Sequence, residues 1–112
     1  MRYYTMKRRA IDPEPMPVAP IAALGQAIAA LPDAAAVEAF LRDLCTPAEL
    51  EALADRWRVV PLLQQGIAYR EIHDRTAVSV TTIGRIARFL NEGAGGYRAA
   101  LQALQHERRH RS

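Results

Sequence analysis

The chain has 112 residues, half of them hydrophobic, with a formal net charge of +3 and a single cysteine. This length suits one domain, and one cysteine excludes an internal disulfide, which fits a reducing cytoplasm. No run of about 18 apolar residues is present, so we expect neither a membrane span nor a secretory signal.

Charge is unevenly distributed along the chain. Residues 33–55 carry six acidic side chains against one arginine, whereas residues 70–111 carry eight arginines against four acids. A basic end beside an acidic middle is typical of a protein that presents one face to a polyanion. Solvated helical surfaces show such imbalances too, so the distribution alone does not identify the partner.

Residues 1–19 combine basic residues, two tyrosines and three prolines without a helical or strand period. We interpret them as a disordered arm. Its basic residues either lie along a phosphate backbone, adding salt-dependent affinity, or form a plain solvated tail. They are Arg2, Lys7, Arg8 and Arg9.

Three helices are predicted next. Pro20 suits the first turn of one helix, and Asp33 suits the N-cap of a second. Residues 46–49, Thr-Pro-Ala-Glu, form a capping box that starts a third helix, which Gly66 ends. Pro61 lies inside this third helix and removes one amide, so we expect a kink or a break into two segments.

The stretch from Tyr69 to Leu90 predicts two short helices, at about 69–76 and 80–90, with Ser79 capping the second. Their apolar residues are spaced so that crossing helices bury them together. On the second helix, hydroxyls and guanidiniums fall on the opposite side, where they suit phosphates and base edges. This is the pattern of a helix-turn-helix, whose second helix enters the DNA major groove.

A glycine-rich turn at residues 93–96 precedes a last amphipathic helix, which we expect to fray into a basic tail at 106–112. All predicted elements are helical with short connections, so the expected fold is all-α, with one helical domain over residues 20–105. We find no nucleophile–base pairing, no phosphate-cradling loop and no metal-ligand cluster. The chain is therefore not expected to be an enzyme or to hold a cofactor or metal.

Two stretches of the sequence resemble a known protein family. Residues 46–60, T-P-A-E-L-E-A-L-A-D-R-W-R-V-V, followed by G-I-A-Y-R-E-I at 66–72, resemble the Trp-repressor superfamily. Residues 81–97, T-T-I-G-R-I-A-R-F-L-N-E-G-A-G-G-Y, look even more like its YerC/YecD branch of small bacterial DNA-binding proteins. The resemblance implies an intertwined, all-helical homodimer in the bacterial cytoplasm, at the nucleoid. Such a dimer would read pseudo-palindromic half-sites about one helical turn, ~34 Å, apart.

The candidate DNA contacts follow both from the residue pattern of the two short helices and from the family resemblance. The residue pattern places Thr81, Thr82 and Arg85 in the groove and Arg88, Arg70 and Arg75 at phosphates, while the resemblance adds Tyr69 at the start of the positioning helix. Gly84 either lets the backbone approach DNA closely or is only a weak helix position. The full set of DNA-binding candidates is Tyr69, Arg70, Ser79, Thr81, Thr82, Gly84, Arg85 and Arg88.

The resemblance also implies a candidate effector pocket. Arg56 and Arg85 match two arginines that help to hold tryptophan in the Trp repressor. Ile86 and Phe89 replace small residues there, and we expect them to fill the ligand space. Tryptophan is therefore not the expected effector, and a different effector or none stays open.

Two other functions are compatible with the same helices. The scaffold would serve as a protein-interaction module if the first two helices docked a partner in place of a second copy. It would serve as a small-molecule sensor if a ligand bound between Arg56 and Arg85.

Overall fold

The structure, a computed structural model, describes residues 11–111, and every regular element in that range is an α-helix. The predicted all-α class is confirmed. The basic residues of the predicted arm, Arg2, Lys7, Arg8 and Arg9, lie outside the described residues. The six helices are α1 (Pro20–Ala29), α2 (Ala34–Leu44), α3 (Pro47–Gln64), α4 (Tyr69–Thr76), α5 (Val80–Glu92) and α6 (Gly96–Arg111).

The chain divides into two compact units, residues 1–40 and 41–112, and α2 crosses the boundary between them. In the first unit, α1 begins at Pro20, as predicted, because proline lacks only an amide that the first turn leaves unpaired anyway. Asp33 caps α2 by accepting a 2.9 Å hydrogen bond from the amide of Ala36. No residue of α1 is buried, and Ile21 is 75% exposed.

The third helix begins and ends as its sequence predicts. Thr46 Oγ1 accepts from the amide of Glu49 at 3.1 Å, and Glu49 Oε1 accepts from the amide of Thr46 at 2.7 Å. This reciprocal pair is the capping box. At the other end Gly66 has φ +79°, and the amides of Gly66 and Ile67 donate to the carbonyls of Leu63 and Leu62. That is a Schellman motif, which favours glycine at the left-handed position.

Pro61 does not divide α3. The helix continues from Pro47 to Gln64, so the predicted break into two segments is wrong. The residues just before the proline explain this, because Val59 and Val60 are completely buried. Burial of both side chains holds the backbone in helical geometry despite the missing amide hydrogen bond.

The core of the second unit joins α3, α4, α5 and α6. Helices α3, α4 and α5 pack against one another, and α6 packs against α5. Trp57 is half-buried beside this core, and the centre of its ring lies 6.4 Å from the centre of the Tyr97 ring. The buried core residues are Val59, Val60, Ile72, Ile83, Ile86 and Leu101.

The turn from α5 to α6 depends on Gly93. A Cβ at this position would overlap the carbonyl oxygen of Phe89, so any other residue here would require the backbone to shift. From Gly96 onward α6 remains helical to Arg111. The expected fraying over residues 106–111 is therefore wrong, and the basic segment extends the helix.

Candidate nucleic-acid interface

Helices α4 and α5 form a helix-turn-helix with a connection of three residues. Helix α4 ends at Thr76, and Ala77 adopts the left-handed conformation with φ +64°. Val78 follows, and Ser79 caps α5 by accepting a 3.1 Å hydrogen bond from the amide of Thr82. The predicted limits of α4, the predicted start of α5 and the predicted cap are confirmed, whereas α5 ends two residues later than predicted, at Glu92.

Side chains of α4 hold this connection by hydrogen bonds to its backbone. Thr76 is buried, and its hydroxyl donates to the carbonyl of Ile72 at 2.7 Å while accepting from the amide of Val78 at 3.1 Å. Nδ1 of His73 lies 2.8 Å from the carbonyl oxygen of Val78, to which it donates in the tautomer protonated at Nδ1. The turn therefore has a defined geometry and is not a loose linker.

Arg58 adds a contact from α3. Its guanidinium donates to the carbonyl of Arg75 at 2.8 Å, in the last turn of α4. The sequence pattern alone did not indicate a role for Arg58, Thr76 or His73 in this turn. A threonine at a helix end is a known signal for such local bonds, whereas a contact between residues 17 positions apart, such as Arg58 and Arg75, has no local sequence signal.

The predicted two-sided character of α5 is present in the structure. Ile83, Ile86 and Ala87 are buried, whereas Thr81, Arg85 and Arg88 are exposed. The apolar side of the helix is therefore in the core, and a row of hydroxyl and guanidinium groups is accessible. This exposed row forms the candidate nucleic-acid interface.

Thr82 is less exposed than Thr81 and Arg85 on the same helix. It is only half-exposed, and its hydroxyl lies 2.9 Å from that of Ser79, whose hydroxyl also caps the helix. Both groups thus contribute to the start of α5. Ser79 and Thr82 remain next to the interface, but their side-chain oxygens are already engaged within the protein.

Tyr69 and Gly84 lie against each other. A ring carbon of Tyr69 is 3.9 Å from the place that a Cβ on Gly84 would occupy, and Tyr69 is 42% exposed. The aromatic ring at the start of α4 therefore covers part of the glycine on α5. Arg70 directly follows Tyr69 in the chain and is exposed in the first turn of α4.

The arginines of this region differ in their partners. Arg75 forms an exposed 3.4 Å ion pair with Glu71 one turn earlier in α4, a type of pair that contributes little to stability. Arg70, Arg85 and Arg88 have no hydrogen bond or ion pair within residues 11–111. Unpaired guanidiniums on an exposed face are suited to phosphate oxygens and base edges.

A pocket of about 330 Å³ lies beside the exposed row of α5. Ile86, which is 2% exposed, and Phe89, which is 54% exposed, both line it. The expectation that these two side chains fill the ligand space stays a prediction. The lining residues are Arg56, Thr82, Arg85, Ile86, Phe89 and Tyr97.

The described part of the chain offers little to support a metal site or a membrane span. Residues 11–111 contain no group of three or more histidine, cysteine or acidic residues placed to hold a metal ion. No helix among them is long and apolar enough to cross a membrane. His106 and His110 stack in α6 with their ring centres 4.1 Å apart, and His110 Nδ1 lies 3.1 Å from the carbonyl oxygen of His106.

Comparisons with known proteins agree with this architecture. A family model described as Trp repressor protein matches residues 20–105. The chain is 39% identical over 66 residues to the uncharacterized protein YerC of Bacillus subtilis, covering 59% of this chain and 64% of YerC. The match thus spans less than two thirds of that relative's length.

Two crystal structures are similar in both fold and sequence. A TrpR-like protein from Eubacterium eligens superposes with a TM-score of 0.70 at 34% identity, covering 76% of this chain and 88% of that one. A candidate Trp repressor from Staphylococcus aureus has a TM-score of 0.70 at 30% identity, covering 76% of this chain and 85% of its own.

Proposed function

Because the chain belongs to the Trp repressor family, we propose that it is a sequence-specific double-stranded DNA-binding protein that regulates transcription. It acts as a homodimer at the nucleoid in the bacterial cytoplasm, and it represses by occupying a promoter. The family resemblance predicted from the sequence is confirmed by the match over residues 20–105. The curated relative YerC is itself uncharacterized, so the proposal takes no activity from it.

The exposed polar row on α5 carries the proposal. Thr81 and Arg85 stand on the accessible side of a helix whose other side is buried in the core. A helix held in this way by a preceding short helix can enter the major groove and present its first turns to base edges. Arginine suits guanine in particular, because its guanidinium can donate to O6 and N7 together.

Phosphate contacts are assigned to the flanking residues. Arg70 in the first turn of α4 and Arg88 near the end of α5 are exposed and unpaired within the described residues. Contacts from both would fix the position of α5 without selecting a sequence. Tyr69, whose ring lies against Gly84, adds a phenol hydroxyl beside Arg70 at the start of α4.

The homodimer accounts for apolar surface that a single copy leaves in water. Helix α1 has no buried residue, and the large side chains of Ile21 and Leu44 are 75% and 52% exposed. A domain of this size buries only about two thirds of the surface that its unfolded chain exposes, less than a large domain does, so covering such side chains with a second copy would stabilise it. Two-fold symmetry then predicts two half-sites about 34 Å apart.

Selection from a random duplex library tests the proposal. The bound sequences should contain two inverted half-sites with centres about 10 base pairs apart, as one helical turn requires. Light scattering of the protein without DNA should give the mass of two chains. A single chain that retains no duplex above background would instead favour a protein-interaction module.

The pocket supports a second candidate function, a small-molecule sensor. Arg56 and Arg85 line it together with Phe89 and Tyr97, so its chemistry suits an anion that has an apolar body. Thermal-shift screening with amino acids and indole carboxylates tests this function. A stabilising compound whose effect disappears in Arg56→Ala would support it, whereas no shift with any compound would remove it.

A further inference from the structure

We propose that Arg58 is a positioning residue for the reading helix. Its hydrogen bond to the carbonyl of Arg75 holds the connection between α4 and α5 in the orientation that presents α5 to DNA. Arg58 itself need not touch DNA to have this effect. The inference rests on the proposed DNA-binding function, and it adds to the helix-turn-helix a residue from outside it.

The backbone of Arg58 is fixed by its neighbours. Val59 and Val60, which follow it directly in α3, are completely buried in the core. Close packing of these two side chains leaves little freedom to this part of α3. Arg58 therefore extends from a rigid base, although its own side chain is exposed.

The carbonyl of Arg75, to which Arg58 donates, needs a hydrogen-bond donor from outside its own helix. The last carbonyls of a helix have no amide of the same helix to accept from, and the left-handed Ala77 ends α4 two residues after Arg75. The 2.8 Å contact satisfies the Arg75 carbonyl with a charged donor. A cation at this end also interacts favourably with the helix dipole.

The remaining bonds of the connection are local. His73 binds the Val78 carbonyl and Thr76 binds the Val78 amide, both within a few residues of sequence. These contacts define the shape of the turn. Of the hydrogen bonds described at the turn, the one from Arg58 alone ties it to α3, and only three residues separate the end of α4 from the start of α5. A change in direction at the turn would displace Thr81 and Arg85 together.

Amide hydrogen exchange of Arg58→Ala tests the inference without DNA. Losing a hydrogen bond to a charged donor should speed exchange of the Ala77 amide about tenfold, while the amide of Val60 in the core changes little. Arg56→Ala removes the same charge from the same helix and should leave the Ala77 amide as in the wild type. Arg58→Lys, which keeps a cation and a donor, should fall between wild type and Arg58→Ala.

A DNA titration completes the test. With the selected duplex, Arg58→Ala should bind about two- to tenfold more weakly, with the same dependence of affinity on salt as the wild type. A salt dependence reduced by about one ion per chain would make Arg58 a phosphate contact and overturn the inference. Unchanged exchange at Ala77 would overturn it too, as would equal acceleration at Ala77 and Val60. If the wild type binds no duplex, the proposed function fails, and the exchange result still decides the role of Arg58 at the turn.

Discussion

Arg85 occupies the position on α5 where two surfaces meet. Its side chain belongs to the exposed row with Thr81 and also lines the pocket with Arg56. A guanidinium at such an edge can turn toward a base or toward an anion in the pocket, but it cannot satisfy both with one planar fork. Occupation of the pocket would therefore compete with base contact by Arg85.

We predict that Arg85→Ala lowers affinity for the selected duplex far more than affinity for random DNA. Losing one bidentate contact to guanine costs about 1–3 kcal/mol per half-site, and random DNA offers few such contacts. Competition titrations with both duplexes measure the difference. Arg88→Ala is the matched control, because losing a phosphate contact weakens both complexes alike. Equal losses in Arg85→Ala would place Arg85 with the phosphate contacts.

Gly84 offers a second test at the residue scale. Glycine inside a helix costs about 1 kcal/mol relative to alanine, and the 3.9 Å distance to the ring of Tyr69 leaves ordinary room for a methyl group. Gly84→Ala should therefore raise the free energy of unfolding by about 1 kcal/mol and change DNA affinity little, because the ring already covers this position. Urea unfolding and a duplex titration provide the two values. A tenfold loss of affinity would show instead that the backbone of Gly84 approaches DNA closely.

The sequence predicted the orientation of individual side chains better than their bonding. Helical periodicity was sufficient to place Ile83 in the core and Thr81 in solvent, because one period determines both faces. The hydrogen bond between the Ser79 and Thr82 hydroxyls depends on rotamers, which periodicity does not specify. Contacts such as the one from Arg58 to Arg75 depend on how distant helices meet.

At the scale of elements, the connection between α4 and α5 contains a backbone conformation that its sequence does not favour. Ala77 is left-handed with φ +64°, where the Cβ of an ordinary residue crowds the following carbonyl oxygen at a cost of about 1–2 kcal/mol. Glycine would have no such cost. The bonds from Thr76 and His73 to Val78 offset this cost by holding the residues around it.

We predict that Ala77→Gly stabilises the fold. Relief of the left-handed strain exceeds the greater freedom that glycine gives the unfolded chain, for a net gain of about 0.5–1 kcal/mol. Thermal and urea unfolding measure it. As a control, Ala103→Gly, at an exposed position inside α6, should lower the free energy of unfolding by about 1 kcal/mol. A loss of similar size in Ala77→Gly would contradict the left-handed geometry of the turn.

Helix starts were easier to predict than helix interiors and ends. The capping box at Thr46 and the cap at Ser79 are local arrangements, and both occur as predicted. The effect of Pro61 on α3 was harder to predict, because it depends on the burial of Val59 and Val60, which is a tertiary property. The end of α6 was predicted too early, since composition alone does not show whether a basic segment continues a helix.

For the whole molecule, the arginines of the second half predict strong dependence of DNA binding on salt. The two phosphate contacts proposed per chain, Arg70 and Arg88, give four in a dimer. The logarithm of the affinity should then fall with the logarithm of salt concentration with a slope of about −4, or about two orders of magnitude between 50 and 200 mM. Arg70→Ala should reduce the slope by about two per dimer. A wild-type slope near zero would contradict a phosphate-dominated interface.

We propose that two copies of this chain read one duplex, each through its α5. The most direct measurement is a titration of the selected duplex against a scrambled duplex of the same length and composition, with the mass of each complex determined. We predict two chains per selected duplex and an affinity at least about a thousandfold above that for the scrambled one. Equal affinities for the two duplexes, or one chain per duplex, would show that this chain does not read a sequence as a dimer through α5.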